Sequence, residues 1–214
     1  CNWMNPKAAG LKVCSLNVRS LNCHIHEVRS DPVLLESHVL CLQETWMTPE
    51  EEDSLVYQLE NFRGNFTCVG RGKGIAVYVR QELCESEAYR YQELCKEHLQ
   101  IGKISLNDVD IINVYRSQEE PFYTMAHYLS EMIDLNKTSL IVGDFNYDAA
   151  NETNEVSKYL SKQQFKQLVT SPTHLGGHIL DQAHLRQSLR KKNAEVKTFT
   201  PYYSDHDIIT VILR

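Results

Sequence analysis

Residues Ser139-Leu140-Ile141-Val142-Gly143-Asp144-Phe145-Asn146 carry a short apolar run directly into a glycine, a carboxylate and an amide. Leu140, Ile141 and Val142 read as a strand covered on both faces. Gly143 lets the backbone turn, so that Asp144 and Asn146 leave the strand at its carboxyl end. The same layout recurs along the chain: Lys12-Val13-Cys14-Ser15-Leu16 ends at Asn17, His38-Val39-Leu40-Cys41-Leu42-Gln43 ends at Glu44, and Ile111-Ile112-Asn113-Val114 ends at Tyr115. Four apolar strands therefore each deliver a polar group to a strand tip. Near the carboxyl terminus Ser204-Asp205-His206 precedes Ile208, Ile209, Val211, Ile212 and Leu213. An antiparallel strand there places its starting residues with the other four tips.

The chain has 214 residues, 42% hydrophobic and 23% charged, which suits one domain spanning residues 1–214 with a substantial core. No apolar run approaches the ~20 residues needed to span a bilayer, and no charged-then-apolar leader opens the sequence. A soluble protein without a membrane partner is expected. The first residue is Cys1 rather than Met, so we expect a domain cut from a longer chain with other activities. Seven cysteines, with Cys14 and Cys41 inside apparent strands and no Cys-x-x-Cys, point to a reduced, intracellular protein. The net charge of -6 argues against nucleic-acid binding through bulk charge. Local charge is unevenly spread: Glu50, Glu51, Glu52 and Asp53 gather acid, whereas Arg186, Arg190, Lys191 and Lys192 gather base.

Periodicity predicts strands at residues 12–17, 38–43, 65–69, 74–80, 99–106, 109–115, 138–143, 179–184, 195–199 and 207–213. It predicts helices at 22–36, broken at Pro32, and at 49–60, 121–135 and 153–161. Phe122, Met125, Ala126, Leu129, Met132 and Ile133 form one apolar stripe suited to a sheet face. Direct strand connections such as Asn107-Asp108 suggest two packed sheets flanked by helices, in the α/β or α+β class.

The ordered set Ser15-Leu16-Asn17-Val18-Arg19-Ser20-Leu21, Leu42-Gln43-Glu44-Thr45-Trp46, Gly74-Ile75-Ala76-Val77-Tyr78, Val114-Tyr115, Gly143-Asp144-Phe145-Asn146, Leu180-Asp181 and Ser204-Asp205-His206 resembles the Mg2+-dependent endonuclease/exonuclease/phosphatase superfamily. With Pro172-Thr173-His174, it most resembles the endonuclease domains of non-LTR retrotransposons and related mobile elements. The resemblance implies a four-layered α/β sandwich, with two mixed, mostly antiparallel sheets flanked by helices. It also implies DNA as partner, a parent polyprotein and a nuclear setting.

Phosphodiester hydrolysis needs an activated water, neutralisation of charge on the phosphate oxygens and help for the leaving oxygen. Glu44 is a hard oxygen ligand of the type Mg2+ takes in ones and twos, and the matching family glutamate holds the metal. Mn2+ is the expected substitute. Asn17 stands as a further metal-site group, or as an amide tying strand to loop, and Asp205 as an acid at the same cluster. The resemblance makes Asp144 the water-orienting or general-base aspartate, with Asn146 fixing it and holding a phosphate oxygen. It puts His206 at the scissile phosphate, with Asp181 on its other nitrogen, and Tyr115 at the phosphate or leaving group. Taken alone, Gly-Asp-Phe-Asn equally suits an Asx turn.

Ser117 stands where family members often carry proline two residues after the tyrosine, leaving Arg116 as a phosphate donor or a solvated charge. Gly70-Arg71-Gly72-Lys73-Gly74 fits neither a Walker loop nor a dinucleotide fingerprint and reads as a hairpin turn. Arg186, Arg190, Lys191 and Lys192 are expected in a hairpin overhanging the site, for backbone or minor-groove contact, or in a solvated turn. His174 and His178 have zinc-like spacing, but Pro172, Gly176 and Gly177 exclude a helix there. Adjacent Ser204, Asp205 and His206 cannot converge as a hydrolase triad. The expected activity is a Mg2+-dependent DNA endonuclease leaving 3′-hydroxyl and 5′-phosphate. Its alternatives are abasic or blocked-end repair, RNA cleavage, small phosphate-ester hydrolysis and an inactive binding module.

Overall fold

The computed structural model describes residues 10–151, 154–188 and 193–214. The first sheet is built from β1 (Leu11–Asn17), β2 (Val39–Gln43), β3 (Phe62–Thr67), β4 (Ile75–Arg80), β11 (Ala194–Phe199) and β12 (Ile208–Leu213). The second contains β5 (Arg90–Cys95), β6 (Leu99–Ser105), β7 (Val109–Arg116), β8 (Thr138–Asp144), β9 (Lys166–Gln167) and β10 (Asp181–Arg186). Their orders are β11-β12-β1-β2-β4-β3 and β5-β6-β7-β8-β10-β9. Each sheet has one parallel pair at its centre, β1 with β2 and β7 with β8, and is otherwise antiparallel.

Alternation along the strands separates the layers. Val13, Val39, Val77 and Val211 pack across the sandwich against Ile104, Ile111, Leu140 and Val142. The opposite faces of the first sheet, through Cys14, Leu16, Leu40 and Leu42, cover α1 (Leu21–Val28) and α2 (Pro32–Leu35). Ile112, Val114 and Ile141 cover α4 (Phe122–Met132) and α5 (Glu155–Lys162). The result is a four-layered α/β sandwich, as expected. Each of these aliphatic side chains gains about 1.5–3 kcal/mol from complete burial.

Helix breaks follow local chemistry. Asp31 accepts from the amides of Val33 and Leu34, and Pro32 opens α2 where its missing N–H costs nothing. The expected helix over 49–60 is instead two 3-10 turns, Pro49–Glu51 and Leu55–Tyr57. Ser54 separates them by capping the second turn, and Leu55 and Val56 remain exposed, so no continuous apolar stripe was available to hold a longer helix. The strand expected at 65–69 lies at Phe62–Thr67. Edge strands β5 and β9 and the short α3 (Gln81–Cys84) escape periodicity, because β5 shows its side chains mostly to solvent and the other two are under five residues. Among the described residues no helix is long and apolar enough to cross a membrane.

The topology also moves the basic segment. β10 starts at Asp181 opposite Asp144 and ends at Arg186 opposite Ser139, so Arg186 lies at the far end of the strand from the tips. Five residues at about 3.3 Å each put it roughly 17 Å away, and its guanidinium donates to the Leu135 carbonyl at 3.0 Å. β10 and β11 belong to different sheets, so the connection is a crossover rather than the expected hairpin over the site. Arg190, Lys191 and Lys192 lie outside the described residues.

Candidate active site

The two central parallel pairs end on the same side of the sandwich. β1 and β2 bring Asn17 and Glu44, and β7 and β8 bring Tyr115 and Asp144, with Tyr115 beside Asp144 in register. The antiparallel neighbours start there: Asp181 opens β10, and His206 precedes β12. One edge of each sheet thus contributes to one cluster.

A buried polar bridge aligns the two edges. Gln43 Nε2 donates to Asn113 Oδ1 at 2.6 Å and to Ser15 Oγ at 3.1 Å. Asn113 Nδ2 returns across the interface to the carbonyls of Leu42, at 3.1 Å, and Ala76, at 3.3 Å. These bonds sit one residue behind Glu44 and two behind Tyr115. Their signal in the sequence is an amide inside each of two apolar strands, Gln43 and Asn113.

At the tips, the fully buried Asn17 amide donates to Glu44 Oε1 at 3.0 Å and to Asp144 Oδ2 at 2.9 Å. One nitrogen therefore ties the carboxylates of both sheets together. Glu44 also accepts from Trp46 Nε1 at 3.3 Å and Tyr115 OH at 3.4 Å. Asn146 donates its backbone N–H to Asp144 Oδ1 at 2.9 Å and its side-chain amide to Asp144 Oδ2 at 3.3 Å. The same amide reaches the Arg116 carbonyl at 2.9 Å. Arg116 is neither an open phosphate donor nor a solvated charge. It is 3% exposed, donates to the carbonyls of Phe145 and Gln118, and lies over the Tyr147 ring at 4.0 Å. Its role here is to brace the Asn146 loop.

His206 Nδ1 meets Asp181 Oδ2 at 2.8 Å, both side chains nearly sealed from solvent. Burial by itself lowers the imidazole's proton affinity, but the Asp181 hydrogen bond and the charges of Asp181, Asp144 and Asp205 outweigh it and lift His206 to about 9. Burial first, and the facing Asp181 carboxylate second, push Asp144 up to about 7. Burial, with Glu44 and Asp144 nearby, also raises the Tyr115 phenol, so it stays protonated and able to donate. Backbone strain concentrates here as well. Of the seven non-glycine residues with positive φ among the described residues, Arg19, Ser20, Glu44, Trp46 and Asn146 all belong to the tip loops.

Asp205, expected as an acid at this cluster, meets it through His206, with Arg19 and His174 as further partners. Its carboxylate pairs with Arg19 Nη1 and stands 3.5 Å from His174 Nε2, while its other oxygen is 3.8 Å from His206 Nε2. In the sequence His174 belongs to the Pro172-Thr173-His174 motif and to a rejected zinc pair, without a role at the site. The structure bridges it to His206 by backbone pairing and packs the two rings edge to face at 4.7 Å. Thr173, its neighbour, accepts from the Asp181 N–H at 3.1 Å. His178 is held elsewhere, on Asp148 at 2.9 Å.

A divalent cation suits this donor set. Glu44, Asn17 and Asp144 offer hard oxygens, and among the described residues no Lys or Arg pairs with Glu44, Asp144 or Asp181. Asp181 Oδ1 and Asp205 Oδ1 are buried without a hydrogen-bond partner among the described residues, although each carboxylate has a cationic neighbour, His206 and Arg19 respectively.

The model of the Endonuclease/Exonuclease/phosphatase family matches residues 14–206, from β1 to His206. The chain belongs to that family. Its members are metal-dependent nucleases and phosphodiesterases. The fold is similar to that of a Neisseria 3′ phosphatase bound to a product DNA hairpin, with TM-score 0.69, 14% identity, and 95% of this chain and 99% of that one covered. It is similar to an AP endonuclease from Archaeoglobus fulgidus, with TM-score 0.66, 16% identity and coverage of 95% and 99%. It is also similar to the endonuclease domain of TRAS1, a telomere-specific non-LTR retrotransposon, with TM-score 0.66, 12% identity and coverage of 96% and 98%. At these identities the likeness speaks for the fold. Family membership makes this a metal-dependent phosphodiesterase fold.

Proposed function

We propose that the chain is a Mg2+-dependent DNA endonuclease that hydrolyses one phosphodiester to leave 3′-hydroxyl and 5′-phosphate, serving as the target-nicking domain of a mobile element inside the nucleus. The observation that carries this reading is the Asn17 amide joining Glu44 to Asp144, with the His206–Asp181 pair facing Asp144. A base, Asp144, thus stands next to both an acid, His206, and a carboxylate suited to a metal, Glu44. The DNA substrate is supported by the endonucleases among the similar folds and by the Neisseria 3′ phosphatase bound to DNA.

Each residue has a part set by its contacts. Asp144, steadied on both oxygens by Asn17 and Asn146, orients the attacking water and accepts its proton. His206, protonated at neutral pH, donates from Nε2 to charge growing on the phosphate, while Asp181 fixes its Nδ1–H. Tyr115 presents a protonated phenol beside Glu44, and Asn146 adds an amide donor. Glu44 and Asn17 would hold Mg2+, or Mn2+ in its place, with Asp205 as an outer acid. Such an ion supplies Lewis-acid neutralisation of the phosphate oxygens.

The test is a panel of supercoiled plasmid, duplex with one abasic site, RNA and inositol phosphate, each with Mg2+. The reading expects plasmid nicks that a polymerase extends directly, as a 3′-hydroxyl requires. Faster turnover of the abasic duplex, RNA or inositol phosphate would overturn it in favour of that substrate.

A further inference from the structure

The Gly70-Arg71-Gly72-Lys73-Gly74 segment fits no nucleotide-binding fingerprint, yet the structure docks it against the candidate site. Trp46 N donates to the Lys73 carbonyl at 2.9 Å, Thr45 N to Gly74 O at 3.2 Å, and Gly70 N to Met47 O at 2.9 Å. Tyr115 OH donates to the Gly72 carbonyl at 2.9 Å, so the loop shares a tyrosine with Glu44. Gly74 is required for this approach: with φ of 89°, a Cβ there would stand 2.8 Å from Thr45 Oγ1 and 3.0 Å from the Thr67 carbonyl. A surface turn free of the site would need none of these bonds.

The loop brings one uncommitted cation to this edge. Lys73 is paired with Glu97 at 3.4 Å, and Arg19 with Asp205, whereas Arg71 is exposed and has no ion pair among the described residues. Its guanidinium lies 5.7 Å from the centre of the Trp46 ring, a weak cation–π contact at an exposed site. An arriving phosphate can recruit it at small cost. Trp46 is itself fixed by its Nε1 bond to Glu44 and held at φ of 61°, strained backbone that keeps a half-buried indole beside the metal-suited carboxylate. The chain carries net charge -6, so a polyanion needs a local cation of this kind.

We propose that Trp46 and Arg71 form a nucleic-acid subsite flanking the scissile position: Arg71 takes a neighbouring backbone phosphate, and the Trp46 indole supports the adjoining sugar and base. The subsite deepens the endonuclease reading by choosing a nucleic-acid strand over a small phosphate ester. A strand offers both a second phosphate and a stackable base, each of which has its own partner here.

The chain has two tryptophans, Trp3 and Trp46, so a Trp3→Phe protein reports on Trp46 alone. In EDTA, without turnover, its emission is expected to be quenched by a duplex oligonucleotide and unchanged by inositol phosphate. In the same buffer Arg71→Ala should reduce the slope of log affinity against log salt by about 0.9, the share of one phosphate contact on duplex DNA, and Arg71→Lys should restore it. Unquenched emission with DNA, or an Arg71→Ala slope equal to the parent's, would overturn the subsite. Because these readouts need no cleavage, plasmid nicking with neither signal refutes the subsite alone. Both signals without nicking refute the endonuclease reading alone.

Discussion

Gly143→Ala tests whether the Asp144 tip depends on one backbone shape. Gly143 has φ of 138°, and a Cβ there would stand 1.9 Å from the Val114 carbonyl oxygen. Ordinary contact begins near 3.4 Å, so β8 must move away from β7 by more than an ångström at the register pairs Val114–Gly143 and Tyr115–Asp144. Two ladder hydrogen bonds at about 1 kcal/mol each, plus about 1–3 kcal/mol for a side chain forced into that backbone region, sum to about 3–5 kcal/mol. For a domain of this size that lowers Tm by roughly 6–20 °C. Gly72→Ala is the comparison: φ is 73° but nothing lies within 4 Å of its Cβ, so only the conformational cost of about 1 kcal/mol applies. Thermal unfolding by circular dichroism reads both variants. Cleavage by folded Gly143→Ala at low temperature should fall by about 10²-fold, the usual result of a 1 Å misplacement of a reacting group. A Gly143→Ala protein no less stable than Gly72→Ala, with parental cleavage, would refute the reasoning.

Other substitutions test the cluster's parts. Asp181→Asn removes the carboxylate charge that helps hold His206 near 9, so the His206 NMR titration should shift to lower pH and the alkaline fall in cleavage should shift with it; an unmoved titration would contradict the pairing. Because folding raises the pKa of His206 above 6.5, its stabilisation is complete below that pH and is lost as pH rises through about 9. His206→Gln should therefore flatten the fall in stability over that window, measured by urea unfolding, and an unchanged profile would count against it. Asn113→Ala leaves Gln43 Nε2 without its partner across the sheets and should cost about 1–3 kcal/mol by the same assay, with a larger loss of cleavage than of fold. Glu44→Gln should raise the Mg2+ concentration needed for half-maximal cleavage, and an unchanged requirement would place the ion elsewhere.

Most of the fold was legible because central strands declare themselves. β1, β2, β7 and β8 are apolar on both faces, and each runs into a polar residue, so both the elements and the convergence of Asn17, Glu44, Tyr115 and Asp144 could be read from the chain. β5 could not, since its Arg90–Cys95 side chains face mostly outward, and β9 is two residues long. Among the site groups, the family resemblance implied Asp181 on the second nitrogen of His206, and the structure places that contact at 2.8 Å. His174 was missed because its partner lies across an isolated bridge rather than a helix turn. Arg116 and Arg186 were misjudged for one reason: charge in a sequence says nothing about the carbonyls that wait for it, and both guanidinium groups donate to backbone oxygens.

The most direct measurement incubates the protein with supercoiled plasmid in Mg2+ and in EDTA, beside Asp144→Ala shown to be folded by circular dichroism. The account predicts nicked circles in Mg2+ alone, lost in the Asp144→Ala protein. Equal nicking by Asp144→Ala, or nicking that persists in EDTA, would contradict it.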